Sequence, residues 1–434
     1  MVEENNEELI ESLIASTDCL YHGEVSQGKE RYHIQILCEC IELTTLSKNI
    51  VETYKWTDVL GAVEKKVKSL DMFELMVYPK RNQVRTFKRY SFASEDTKQW
   101  VKIIQHMAYY QTMPNPDDPI YRRKLKILIN PHSGRGTASR VWRRVEYMLA
   151  ACELDVLRTQ YRNHATEAVK QMQISDYDAI IVVSGDGLIH EVINALCSRD
   201  DGDQARMCPV SMIPGGSSNA LAQILCDKSG EEVTAENCCF IAAKGNMHPL
   251  DISLMRTESG KLIYSFLSLA WAYIGDVDIE SEVCRCCGPF RFDLYGFWRL
   301  LALRRFNATV TWEDEEGEHD ETGQFIYFVV CNTPFIGTGL NFAPKASIED
   351  GMNDILFVRG NAGRRGLLQV LLREDSGRHV DLPQLNYLKA SKWTLTPENN
   401  RGIYSIDGEF YPTEKLTVEV LNNYATVLVL SKAH

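Results

Sequence analysis

The stretch Ala179-Ile180-Ile181-Val182-Val183-Ser184-Gly185-Asp186-Gly187-Leu188-Ile189-His190-Glu191-Val192 changes period in its middle. Residues 179–184 are an apolar run of strand length. From Leu188 to Cys197 the apolar residues return at helical spacing. Between the two lies a turn with two glycines and one carboxylate. Strand, glycine turn and helix in this order are half of a parallel βαβ unit, whose ligands gather at the carboxyl ends of the strands.

The alternation continues on both sides. Strands are expected over 125–130, 154–159, 179–184 and 210–214, and helices over 139–149, 165–173, 188–197 and 218–226. Beyond about residue 247 strands dominate: 261–268, 308–313, 325–331, 354–358, 391–397, 416–420 and 426–430. That part reads as an antiparallel sandwich with a helical insertion at about 281–306 and a helix at 364–373. Upstream, residues 1–14 form a polar, acidic tail. Strand-like stretches at 19–24, 31–38, 72–79 and 84–91 precede a helix over 94–111 with Trp100, Ile103, Ile104 and Met107 on one face. The segment 15–111 resembles a pleckstrin-homology-like module; another small β-rich accessory domain fits equally. Pro114, Pro116 and Pro119 make 112–121 a linker.

The chain has 434 residues and a formal net charge of −12, which argues against broad nucleic-acid binding. It has 13 cysteines, an odd number without paired ligand spacing, which reads as reduced thiols rather than zinc ligands. The first residues are acidic, unlike a secretory signal, and no apolar run reaches the ~18–20 residues of a spanning helix. The expected location is cytoplasmic, with peripheral membrane contact if the substrate is a lipid.

Three strands end in polar glycine turns: Asn130-Pro131-His132-Ser133-Gly134-Arg135-Gly136, then Ser184-Gly185-Asp186-Gly187, then Pro214-Gly215-Gly216-Ser217-Ser218-Asn219. Glycines let backbone amides face an anion, which a helix start also favours. One such turn is ordinary helix entry, whereas three at one sheet edge point to phosphate. None is a Gly-Lys-Ser/Thr P-loop or the Gly-x-Gly-x-x-Gly dinucleotide fingerprint.

Together these turns resemble the diacylglycerol kinase-like superfamily, and the segment 184–192 resembles its sphingosine kinase branch. The resemblance runs from about Leu125 to Glu409. It implies an α/β plus β fold: a parallel-sheet nucleotide domain over 122–245, then an antiparallel β-sandwich lipid-binding domain over 246–434. It implies ATP and Mg²⁺, with Asp186 as general base and Glu191 one turn away at the site. Asn130, Ser133, Gly134, Gly136, Ser184, Gly185, Gly187, Gly216, Ser217 and Asn219 would contact the nucleotide. So would Glu282, Arg285, Arg291 and the Asp407-Gly408-Glu409 turn, with Glu409 near the phosphates or Mg²⁺. For Asp186 alone, an N-cap of its own helix is the plainer explanation. Asp407-Gly408 is also an ordinary hairpin turn. Ser218 stands where the family usually has glycine; if that position needs positive φ, it costs roughly 1–2 kcal/mol.

The segment 268–282 resembles the lipid-lining part of the sphingosine kinases. By that resemblance Ser268, Ala270, Tyr273, Ile274, Val277 and Asp278 would hold the substrate, with Asp278 meeting the sphingoid ammonium. Alternatively, Asp276 and Asp278 alternate on a strand and face water. In 292–306 Leu294, Phe297, Trp298, Leu301 and Leu303 interleave with arginines, as in a core helix or a membrane-facing one. The expected function is ATP-dependent phosphorylation of a sphingoid base. The alternatives are ceramide or another lipid, which an N-terminal module favours, and a catalytically weak scaffold.

Overall fold

The computed structural model describes residues 18–67, 70–82, 84–287, 290–314 and 317–431; the expected acidic tail lies outside them. The chain divides into two compact units, residues 1–125 with 145–154 and residues 126–144 with 155–434.

In the first unit seven strands form one sheet. Their order is Ile50–Lys55, Cys40–Thr45, Glu30–Leu37, Cys19–Gln27, Lys88–Ala93, Leu70–Val77 and Val59–Val67, each pair antiparallel. Helix α1 (Thr97–Tyr110) buries Trp100, Ile103, Ile104 and Met107 in one core with Phe73 and Phe92. The Trp100 ring stacks on Phe73 at 6.0 Å and meets Tyr21 edge-on at 4.7 Å. Cys40–Thr45, Ile50–Lys55 and Val59–Val67 were not expected. The charged residues on their solvent side, among them Glu52, Lys55, Lys65 and Lys66, dilute the strand signal.

The second unit is built on one mixed sheet. Ala179–Ser184, buried throughout, pairs in parallel with Val210–Pro214, as its continuous apolar run demands. Helices α2 (Thr137–Val145), α3 (His164–Gln171), α4 (Asp186–Cys197), α5 (Ala220–Ser229) and α6 (Ala235–Lys244) accompany these strands. The expected strand-rich C-terminal part is present, and it continues the parallel sheet. Leu416–Val429 pairs in parallel with Val210–Pro214 and antiparallel with Asn246–Thr257 and Lys392–Pro397. The parallel and antiparallel parts therefore share one hydrogen-bonded sheet. Beyond Lys392–Pro397 the order runs Phe306–Asp314, Gly317–Cys331, Ser268–Ala272, Ile403–Ile406 and Glu409–Pro412.

Two further expectations fail for local reasons. The strands expected at 416–420 and 426–430 are one strand. Its polar centre is a bulge opposite Asp251, where Asn423 takes φ 52° and donates its N–H to Asp251 Oδ1 at 2.6 Å. The strand expected over 261–268 breaks into Leu262–Ser265 and Ser268–Ala272, because the amides between them turn inward to a carboxylate.

Asp276 and Asp278 lie on helix α7 (Tyr273–Glu280), not on a strand. Asp276 is fully buried against Arg299 of α8 (Phe290–Leu301), and Arg304 reaches the same oxygen at 3.2 Å. Arg304 also holds Glu280 at 2.9 Å. Helix α8 is apolar on both faces. Arg299 and Leu300 point inward with Phe292 and Tyr295 against the core, while Phe290, Leu294, Phe297, Trp298 and Leu301 are exposed, Phe297 at 64%. Helix α9 (Gly363–Leu371) packs beside it. Replacing Arg299 by leucine leaves the buried Asp276 with only the half-exposed Arg304 and should lower stability by about 3 kcal/mol in a urea titration. An unchanged midpoint would show that the pair contributes nothing.

Candidate active site

The three glycine turns meet. A Cβ on Gly134 would fall 2.4 Å from the Gly215 carbonyl oxygen, and a Cβ on Gly216 would fall 2.4 Å from Gly185 Cα. Only bare backbone allows both approaches. A Cβ on Gly185 would lie 3.9 Å from Ser133 Oγ, so Ser133 belongs to the same cluster. Asn130 Oδ1 accepts from His132 N–H at 3.0 Å and shapes the first turn, while Gly134 and Gly136 take positive φ. In the third turn Asn219 has φ 52° and closes on Gly216 twice, accepting from its N–H at 2.9 Å and donating to its carbonyl at 3.1 Å. Ser218 is not in the left-handed region, so the strain considered for it does not arise. Its carbonyl instead accepts from Thr338 N–H and Oγ1 at 2.9 and 3.0 Å.

Asp186 opens α4 but does not cap it. Its carboxylate crosses to α5 and accepts Ala220 N–H at 3.0 Å and Leu221 N–H at 3.1 Å. Capping is thus real, but of the neighbouring helix. Burial pushes its pKa up to about 6; the two amides pull it down, and Asp407 pushes it up. Each carboxylate oxygen keeps a lone pair for another donor.

Glu191 lies one turn along α4. Burial and the neighbouring Glu409 raise its pKa, while Asn163 N–H and Arg162 act against the shift. Arg162 Nη2 stands 3.9 Å from Glu409 Oε2. Glu409 itself crowds the start of α4: a Cβ on Gly187 would fall 2.5 Å from its Oε1. Arg162 and Asn163 were not anticipated. They follow the strand Glu153–Arg158, whose turn carries no glycine signal; their place at the same sheet edge was the one available clue.

Asp407 and Gly408 form the tight hairpin turn, with φ 52° and 84°. The Asp407 side chain is engaged within the fold. Its carboxylate is fully buried and takes Ser265 Oγ at 2.6 Å, the amides of Leu267 and Ser268 at 3.0 Å each, Phe266 N–H at 3.3 Å and His190 Nδ1 at 2.8 Å. The neighbouring Glu409 side chain is not held in this way and reaches the start of α4.

On the lipid side, Ala270, Tyr273 and Val277 share one apolar cluster with Leu300, Tyr327, Leu367 and Val370, and Ile274 packs against it. The Tyr273 hydroxyl donates to the Gly296 carbonyl at 2.8 Å and ties α7 to α8. Asp278 accepts from Ser405 Oγ. Burial raises its pKa, while Ser405 and Arg291 hold it down. Arg291 also lies 3.7 Å from Glu282. The Arg285 side chain lies outside the described residues. Ser405 pairs with Ala270 and stands two residues before Asp407, so the Asp278 pocket and the Asp407 turn are roughly 7 Å apart along one strand.

The diacylglycerol kinase catalytic domain family matches residues 124–255, and the YegS C-terminal NAD kinase beta sandwich-like domain matches residues 279–429. A crystal structure of a diacylglycerol kinase from Bacillus anthracis str. Sterne shares the fold with a TM-score of 0.51 at 17% identity, over 71% of this chain and 97% of that one. Fold and site therefore define a protein of the diacylglycerol kinase-like superfamily. Sphingosine kinase 1 of Homo sapiens is 32% identical over 345 residues, 69% of this chain and 89% of its own. Sphingoid long chain base kinase 4 of Schizosaccharomyces pombe is 30% identical over 348 residues, 70% of this chain and 75% of its own. The chain belongs to the sphingosine kinase family.

Gly216→Ala places a methyl against Gly185 and should abolish stabilisation by Mg·ATP in a thermal-shift assay. Ser218→Gly should leave that stabilisation intact and give no gain in melting temperature. A gain from Ser218→Gly would contradict the backbone geometry described for Ser218.

Proposed function

We propose that the protein transfers the γ-phosphoryl group of ATP to the primary hydroxyl of a sphingoid base, with Asp186 as general base. Membership of the sphingosine kinase family supports the reaction. The observation that carries the base is the Asp186 carboxylate, fixed by two amides at the meeting point of three glycine turns. The lipid hydroxyl gives its proton to Asp186 as its oxygen bonds the γ-phosphorus. The bond from that phosphorus to the β–γ bridging oxygen breaks, and ADP leaves.

The amides of the three turns would cradle the phosphates. Arg291 and the exposed Arg162 supply positive charge beside Glu282 and Glu409. Among the described residues no three ligands are gathered for a metal. Glu191 and Glu409, which repel each other, fit a Mg²⁺ shared with the phosphates, since that ion commonly takes one or two carboxylates. Bound there, Mg²⁺ would neutralise phosphate charge. Asp278 would pair with the sphingoid ammonium, and its burial favours an organic cation over water. Ceramide and diacylglycerol have no ammonium to place there.

The seven-stranded sheet with its C-terminal helix supports a pleckstrin-homology-like reading of 15–111, ahead of the 112–121 linker, a nucleotide domain at 122–245 and a lipid domain at 246–434. No described helix is long and apolar enough to cross a membrane. The outward face of α8, extended by exposed Leu368 and Leu372 at α9, supports peripheral membrane contact.

Asp186→Asn should lower kcat at least ~100-fold, within the range of lost acid–base catalysis. The base works ionised, so wild-type kcat should fall as pH drops through about 6 rather than near the ordinary carboxylate value of about 4. A pH–rate limb near 4 would remove Asp186 from that role. Asp278→Asn should raise KM for sphingosine and spare ATP; activity on ceramide but not sphingosine would reject the ammonium pocket. Phe297→Ser with Trp298→Ser should weaken sedimentation with anionic vesicles while preserving turnover of detergent-dispersed sphingosine. Unchanged sedimentation would take α8 away from the membrane.

A further inference from the structure

His190 is buried one turn into α4, on a helix face that carries Gly187 before it and Asn194 after it. A buried imidazole is costly unless both nitrogens are engaged, and here both are. Asp407, an acceptor when ionised, takes Nδ1–H at 2.8 Å. Nε2 meets the Tyr411 hydroxyl at 2.9 Å. Asp407 and Tyr411 lie on either side of Glu409, so one ring grips the hairpin on both sides of that carboxylate.

The same helix face touches the hairpin a second time, where Glu409 presses on Gly187. Asn194 then binds the strand Leu262–Ser265, donating to the Tyr264 carbonyl at 2.8 Å and accepting from its N–H at 2.9 Å. That strand leads into the amides of residues 266–268, which also end on Asp407. Without His190, Asp407 Oδ2 keeps only the longer 3.3 Å bond from Phe266 N–H, while Oδ1 retains three partners. Removing the ring therefore frees one side of the turn rather than the whole hairpin.

We propose that His190 is a positioning residue: by bridging Asp407 and Tyr411 it holds the hairpin so that Glu409 stands over the start of α4 and Ser268 stays at the head of the lipid strand. Both ring nitrogens are spent on Asp407 and Tyr411, so its part is positional. The consequence for turnover rests on the kinase reading above; the consequence for the hairpin does not.

The test compares the full-length wild type with His190→Leu, His190→Asn and Tyr411→Phe. Asparagine can reproduce the Nδ1 donor, whereas leucine fills space without it. Hydrogen exchange of the Gly408 and Glu409 amides should accelerate at least ten-fold in His190→Leu and remain near wild type in His190→Asn. With Mg·ATP and sphingosine, kcat should fall at least ten-fold in His190→Leu, with KM for ATP within two-fold, and recover mostly in His190→Asn. Tyr411→Phe should lower kcat about three-fold, and it carries the test if the leucine variant does not fold. Unchanged exchange, or an asparagine variant no better than leucine, overturns the proposal. If leucine does not fold, wild-type kcat in Tyr411→Phe overturns it. A wild type without sphingosine turnover but with the expected exchange pattern would overturn the substrate reading and leave the positioning role standing.

Discussion

Two hydrogen bonds from backbone amides organise the edge where the three glycine turns meet. Asp186 leaves one strand–helix unit and accepts the first two N–H groups of the next helix. A helix start has several such donors without intrahelical partners, and a carboxylate among them is stabilised by the helix dipole. The same bonds fix the third glycine turn, which immediately precedes those donors, against the second. The close approaches at Gly134 and Gly216 follow from that registration, because the turns have no room to shift independently. Burial then works against the amides and leaves the carboxyl poised near neutrality rather than strongly acidic.

A second carboxylate does for the strands that lead into α7 what Asp186 does for the glycine turns. Asp407 gathers donors from the break between two strands and from α4. It converts an interrupted strand into a fixed corner. The mixed sheet carries this order onward, since the strand that ends at Ile406 pairs with the strand that leads into α7. Asp278 is thereby set near the phosphate edge without any direct bond between the two sites. The exposed apolar face of α8 has a related cause. Once Asp276 is buried it requires a cation, so Arg299 must face inward beside Leu300, and the opposite face carries Phe290, Leu294, Phe297, Trp298 and Leu301.

Much of the nucleotide edge was legible in the sequence. The strand–turn–helix repeats over residues 124–229 fell where periodicity put them, because a parallel strand buried on both faces leaves an unbroken apolar run. The glycine turns were readable because close backbone approach excludes every other residue. Polar strand faces hid three strands of the first unit, and the Asn422–Asn423 bulge passed for a turn. Arg162 was missed because an arginine after a strand has no distinctive neighbours.

By itself the sequence determined most of the strand–turn–helix repeats after the linker, where three glycine turns lie, and which family the motifs resemble. These are local properties, set by period, glycine placement and turn chemistry. Tertiary structure alone decided which helix Asp186 caps, that Asp407 spends its carboxylate internally, that Ser218 is unstrained while Asn219 bears the left-handed turn, and which way α8 faces. Except for the Asn219 turn, these depend on donors or charges tens to hundreds of residues away, as with His190 and Asp407, and no local pattern encodes a partner at that separation.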